Sequence, residues 1–247
     1  MGENKMHPDV GLAITGCVKS YGPIRALDRV SMTVPQGRIV GLVGPNGAGK
    51  TTLLHALMGL VRLDQGSMTL DGEPVDRVVV KRRMAFMPDD LPRPSRLTGR
   101  EFVEFTCRLY GAACRGIEEL AARLELDGRF DQRLGSYSHG MRRKVDLMAA
   151  VLVIPGILVM DEPFSGLDPS TVAVVQELLT ELSGGGVGIL LSSHDLELVE
   201  EIADDLVMID HGRVVFRGST RDLVASSESA DVRSAFLALA DWESKDA

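Results

Sequence analysis

The nine residues Gly44-Pro45-Asn46-Gly47-Ala48-Gly49-Lys50-Thr51-Thr52 have the types and spacing of a phosphate-binding loop, with Gly44 and Gly49-Lys50-Thr51 at the required positions. Glycines at 44, 47 and 49 let the backbone curl so that successive N–H groups converge on phosphate oxygens, and the following helix adds the partial positive charge of its N-terminus. In that setting Lys50 reaches the β- and γ-phosphates, the Thr51 hydroxyl ligates a magnesium ion, and Thr52 donates to an α-phosphate oxygen. An acidic pair, Asp161-Glu162, closes the apolar run Ile157-Leu158-Val159-Met160. The carboxyl end of such a strand is where open α/β sheets bind ligands. Asp161 is expected to hold the metal through water. Glu162, facing the opposite way if the strand continues, is placed to take a proton from a water attacking the γ-phosphorus. His194, within Ser192-Ser193-His194-Asp195, follows another apolar strand and is expected to touch the γ-phosphate. Ser138, within Tyr137-Ser138-His139-Gly140-Met141, reads as the N-cap of an apolar helix, and a helix start of this kind is also an anion site.

These residues need elements to hold them. Ile39 to Val43 is a short unbroken apolar run, as expected of a parallel strand buried on both faces, and Leu53, Leu54, Leu57 and Met58 repeat at helical spacing behind the loop. Upstream, Leu12-Ala13-Ile14 and Val30 to Val34 read as exposed-edge strands, and Asp71-Gly72 after Ser67 to Leu70 signals a hairpin. An antiparallel sheet is therefore expected beside the nucleotide core. From about 92 to 150 the pattern turns helical, with Phe102, Phe105 and Leu109 predicted on one face and Ile117, Leu120 and Leu124 in a second period. After Ile157 the chain alternates strand and helix, which implies a parallel, doubly wound sheet. Residues 219 to 247 read as a polar tail with one amphipathic helix, Val232 to Trp242.

The 247 residues are 45% hydrophobic and 25% charged, ordinary globular usage. A net charge of -8 argues against a nucleic-acid face, which would need clustered Lys and Arg. The tight basic runs, Lys81-Arg82-Arg83 and Arg142-Arg143-Lys144, are expected on solvated helix or loop faces. Cys17, Cys107 and Cys114 contain no C-x-x-C pair, so neither a disulfide nor a zinc site is predicted, and a reduced cytosolic compartment fits best. Met1 to Pro8 lacks the apolar core of a signal peptide. Ala149 to Met160, the most apolar stretch, is too short to span a bilayer and is broken by Pro155-Gly156. The chain is expected to be soluble or at most peripheral.

The order of the loop at 44 to 52, the Ser-Gly helix start at 138 to 140, Asp161-Glu162, Asp168 and His194 resembles the ATP-binding cassette (ABC) family over about residues 10 to 218. The resemblance implies an α/β fold of the RecA-like P-loop NTPase type, a mostly parallel sheet core with an antiparallel β subdomain and an inserted α-helical subdomain. It implies one ATPase domain at 8–218, with the helical insertion at about 92–150, and a helical tail at 219–247. In family terms Tyr21 is similar to the aromatic that stacks on adenine, Glu162 to the catalytic glutamate, Asp168 to the D-loop aspartate and His194 to the switch histidine. Ser138 and Gly140 stand in the signature segment, which caps the γ-phosphate bound to a second copy. ATP and magnesium are the implied ligands, and a second ATP-binding subunit, expected to be identical, is one implied partner. The other is a separate membrane permease, which would hold the chain at the inner face of the membrane. Two positions depart from the family pattern. Asp89 replaces a glutamine and could still reach magnesium through water, while His139 and Met141 replace a glycine and a glutamine in the signature. These features look similar to the ATPase subunits of ABC-2-type exporters. A non-transport ATPase of the same family acting on nucleic acid, and a regulatory nucleotide-binding module, stay open as alternatives.

Overall fold

The computed structural model describes residues 11–75, 82–89, 94–153, 155–227, 234–236 and 238. Among the described residues ten strands form two sheets. The first is antiparallel, in the order β2 (Ile24–Val34), β1 (Leu12–Tyr21), β4 (Gln65–Leu70), β5 (Glu73–Pro74). The second has the order β10 (Arg213–Gly218), β9 (Asp205–Asp210), β3 (Ile39–Val43), β8 (Gly188–Ser193), β7 (Ile157–Asp161), β6 (Met84–Met87). All its pairings are parallel except β10 with β9.

Period-two geometry explains why the runs Ile39 to Val43, Ile157 to Met160 and Ile189 to Leu191 of β3, β7 and β8 carry no polar side chain. Along β3, Val40 and Leu42 face one core, shared with the antiparallel sheet and helix α1 (Lys50–Leu57), while Ile39 and Val43 face the other. In β7 the same split sends Ile157 and Val159 to the first core and Leu158 and Met160 to the second. Each fully buried Leu, Ile or Val contributes about 1.5–3 kcal/mol of transfer free energy. That makes the central strands a rigid base for the loops at their carboxyl ends.

Among the described residues between β6 and β7 are the α-helices α2 (Gly99–Tyr110), α3 (Ile117–Arg123) and α4 (His139–Val151). Thr98 and Glu101 form a reciprocal capping box at the start of α2, and Gly111 ends it in the left-handed conformation. The buried line of α2 is Val103 and Cys107, at i and i+4. The expected apolar face was a different one. Phe105 and Leu109 are 50% and 65% exposed, and of that row Phe102 alone packs against the core, half-buried at its margin. Downstream follow α5 (Pro169–Gly184), α6 (Leu196–Ile202) and α7 (Thr220–Ser227).

Other expectations need correcting. β1 is no edge strand, since it pairs with β2 on one side and β4 on the other, and its Leu12 and Ile14 are buried. Cys107 and Cys114 form a disulfide with Cα atoms 5.6 Å apart. The Gly111 cap and the left-handed backbone at Cys114 return the chain over the last turn of α2, a geometry that cysteine spacing does not reveal. Cys17 is free and buried, and burial pushes its thiol up. The tail after 218 carries α7, whose Leu223 is buried against the second core. The helix expected at 232–242 falls mostly outside the described residues; of those described, 234–236 are helical and Ala235 is buried. Thr98→Ala removes one half of the capping box, and urea titration should record a loss of about 1 kcal/mol in unfolding free energy.

Candidate functional site

Parallel register brings the chemistry together. Val43 lies opposite Ser193 and Asp161 opposite Ser192, so β3, β8 and β7 end side by side and their following loops share one edge. The loop after β3 turns sharply. At Gly44 (φ 156°) an added Cβ would sit 2.0 Å from the Ile209 carbonyl oxygen, and at Gly49 (φ 106°) 2.3 Å from that of Ala26, so neither position accepts a side chain. Helix α1 begins immediately at Lys50, and no side chain among the described residues caps it. Its first N–H groups therefore lack intrahelical partners and form a ready cradle for an anion.

A cleft of about 480 Å³ opens here, lined by residues 45 to 52 together with Ala26, His55, Asp89, Asp161 and Glu162. That volume falls in the range of small-molecule sites. Lys50 is buried and donates to the carbonyl oxygens of Gly44 (2.6 Å) and Pro45 (3.2 Å). Burial pushes its ammonium below the ordinary lysine value, while the carboxylates of Glu162 and then Asp161 pull it back up. Thr51 Oγ1 donates to Asp161 Oδ2 at 3.2 Å, and Ser192 Oγ donates to the other carboxylate oxygen. A hydroxyl beside a carboxylate is hard-oxygen chemistry that fits magnesium, an ion held by few protein ligands.

The condition on which Glu162 would face opposite Asp161, a strand running on past 161, is not met. The strand ends at Asp161, and Glu162 takes a left-handed backbone (φ 49°) while its N–H donates to Ser192 O at 3.1 Å. Non-glycine residues adopt this conformation at a cost of order 1–3 kcal/mol, and such strain concentrates at functional sites. The turn aims Glu162 Oε2 at His194 Nδ1 (2.9 Å), with Ser193 Oγ at 3.4 Å. The His194 side chain is 67% exposed, so it meets the carboxylate from the solvent side.

The basic run at 142 to 144 is not solvated as expected. Arg143 is 1% exposed, and its guanidinium donates to the carbonyl oxygens of Pro88 (2.7 Å), Asp89 (2.8 Å), Asp161 (2.6 Å) and Glu162, with Asp89 Oδ1 at 3.5 Å. Lys144 is also buried, beside Glu125 and Asp168. Periodicity could have flagged Arg143, which stands on the same helix face as Leu147 and Ala150. His55, four residues after Thr51, is another lining residue that sequence reasoning missed, and its ring meets Phe86 edge-on.

Other expected residues lie outside this lining. Ser138 caps α4, accepting from Met141 N at 3.2 Å, and neither it nor Gly140 lines the chain's own cleft. The His139 ring covers Gly166, where an added Cβ would meet it at 2.4 Å, so the Ser138 segment and the turn before Asp168 interlock. Asp168 caps α5, and hydrogen bonds from Ser170 and Thr171 hold its carboxyl well below the usual range. Tyr21 is 49% exposed and does not line the cleft, although Ala26 on the next strand does. Among the described residues no helix is long and apolar enough to cross a membrane.

Comparison with known proteins gives a consistent picture. The family described as "ABC transporter" matches residues 27–165. The daunorubicin/doxorubicin resistance ATP-binding protein DrrA of Streptomyces peucetius is 36% identical over 233 residues, 92% of this chain and 70% of its own length. The ABC transporter ATP-binding protein NatA of Bacillus subtilis (strain 168) is 32% identical over 240 residues, 92% of this chain and 96% of the relative. The Nod factor export ATP-binding protein I of Sinorhizobium fredii is 34% identical over 230 residues, covering 91% and 67% respectively. A solved ATP-binding subunit of an ABC transporter superposes with a TM-score of 0.87 at 28% identity, covering 93% of this chain and 99% of that one.

The buried Lys50 makes a pH prediction. An unfolded chain keeps its lysine proton up to about pH 10.4, whereas the native value is lowered. Between the two values the unfolded state binds more protons, so stability should rise with pH across that window. In urea titrations of the nucleotide-free protein across the alkaline range, wild type should show a more positive slope of stability against pH than Lys50→Met, a difference that cancels the opposing slope from the raised groups Cys17, Tyr110 and Tyr137.

Proposed function

The chain belongs to the ABC transporter family and is an ATP-hydrolysing cassette, and from that premise we propose that it powers an exporter whose membrane-spanning permease is a separate chain. The observation that carries this reading is the meeting of Lys50, Thr51, Asp161 and Glu162 around one cleft, with His194 on the Glu162 carboxylate. Relatives named for drug resistance and for Nod factor export favour the outward direction. The chain would lie on the cytoplasmic face of the membrane, docked to the permease.

In the proposed mechanism, Lys50 Nζ leaves the carbonyls of Gly44 and Pro45 for the β- and γ-phosphates. The N–H groups of residues 47 to 52 take the remaining phosphate oxygens, and Tyr21 stacks on the adenine. Thr51 and Asp161 would hold magnesium, with Asp89 near it through water. When bound, the ion supplies positive charge that offsets the phosphate oxygens. Glu162, steadied by His194 and Ser193, orients a water and takes its proton as the water oxygen bonds to the γ-phosphorus. The bond to the bridging oxygen breaks, and its electron pair stays on ADP. His194 also contacts the γ-phosphate.

Two copies would close head to tail, the Ser138 hydroxyl and Gly140 N–H of each capping the nucleotide of the other. The exposed start of α4, outside the chain's own cleft, supports this placement. We assign the ATPase domain to 8–218, with 92–150 as its helical insertion and 219–247 as a tail.

Phosphate release by purified protein tests the reading. Glu162→Gln should lower kcat about 100-fold or more and let ATP-bound dimers accumulate in size-exclusion chromatography. Lys50→Ala should abolish ATP binding in equilibrium titration. Turnover of Glu162→Gln at the wild-type rate would remove Glu162 from the role of base.

A further inference from the structure

Arg143 is a full positive charge held nine-tenths or more out of water, and it sits within a network that reaches both edges of the cleft. Burying such a charge is costly unless it is met by well-placed acceptors. The acceptors here are main-chain carbonyls from two separate turns, Pro88 and Asp89 after β6, and Asp161 and Glu162 after β7. One guanidinium nitrogen serves the first turn and the other serves the second. The planar fork thus sets the spacing between the turns that carry Asp89 and Glu162, both of which line the cleft.

We propose that Arg143 is a positioning residue for hydrolysis, fixing the Asp161-Glu162 turn against the Pro88-Asp89 turn so that the Glu162 carboxylate points at the attacking water. The inference rests on the role given to Glu162 above, and it adds a residue that touches neither phosphate nor water. Its means are mechanical. Glu162 is held in a left-handed turn from both sides: its N–H donates to Ser192, while its carbonyl accepts from the Ser165 N–H at 3.1 Å and from Arg143. Removing Arg143 leaves the turn its bonds to Ser192 and Ser165 but takes away the fork that ties it to the Pro88-Asp89 turn. Because Arg143 projects from α4, five residues after Ser138, the same guanidinium joins the start of that helix to the catalytic turn. A shift of α4 is therefore felt at Glu162 without passing through the nucleotide loop. Lysine cannot replace it, since a single ammonium has no fork with which to hold two turns apart.

The test compares Arg143→Lys and Arg143→Met with wild type, measuring ADP affinity by titration and the KM and kcat of ATP hydrolysis by phosphate release. The carbonyls that Arg143 gathers belong to residues 88, 89, 161 and 162, in the turns after β6 and β7, so ADP affinity and KM should stay within about 2-fold. A carboxylate displaced by about 1 Å loses on the order of 100-fold in rate, so kcat should fall about that much in Arg143→Met and at least about 10-fold in Arg143→Lys. If Arg143→Met fails to bind ADP, it has lost its fold and Arg143→Lys alone decides. A Lys variant that binds ADP and turns over at the wild-type kcat overturns the proposal, as does an equal loss of ADP affinity and kcat in that variant. Glu162→Gln, measured alongside, separates the two ideas. Full activity there removes the base itself, whereas an inactive Glu162→Gln beside a fully active Arg143→Lys removes only the positioning role.

Discussion

The hydrogen-bond register of β3, β8 and β7 sets every chemical distance in this protein. Parallel strands a few ångströms apart carry Val43, Ser193, Ser192 and Asp161 to one edge, and the residues just past that edge inherit their spacing. Slipping any strand by one residue would exchange its two faces, moving apolar side chains between two cores that are already filled. The interior thereby locks the register, and the register locks the site. Asp161 can take one hydrogen bond from Thr51 and another from Ser192 because the strands on which they depend have no freedom to slide.

Charge is handled by the backbone as much as by side chains. Lys50 rests on two carbonyls of its own loop, an arrangement that satisfies the ammonium and that phosphate oxygens can displace. Among the described residues no side-chain acceptor competes for the donors at the start of α1. Arg143 uses the opposite sign of the same device, gathering carbonyls that point inward at the ends of β6 and β7. The net charge of -8 is consequently no obstacle to an anionic ligand, because local dipoles and two buried cations face the cleft or its walls.

Departures from the usual family pattern have physical accommodations. His139 finds room because its neighbour across the gap is Gly166, where any Cβ would collide with the ring. Asp89 in place of an amide acquires Arg143 at 3.5 Å, so its charge is partly answered. Both accommodations involve α4 or the residues at its start, which makes that helix the link between the 138 to 141 segment, the turn before Asp168 and the catalytic edge.

What could be read from the chain was whatever depends on local pattern. Glycine spacing with Lys50 and Thr51, the apolar runs ending at Val43 and Asp161, and the alternation after Ile157 prescribe the nucleotide loop and the parallel core, since each follows from short-range geometry and from burial on both faces. Tertiary structure decided what depends on neighbours distant in sequence. It chose Val103 and Cys107 over Phe105 and Leu109 as the inward row of α2, and it brought Cys114 back onto Cys107. It turned Glu162 into a left-handed bend and buried Arg143 between two strand ends 55 and 18 residues away. Periodicity names the faces of an element but not which one meets the core, and a charged side chain is soluble by type until the fold surrounds it with carbonyls.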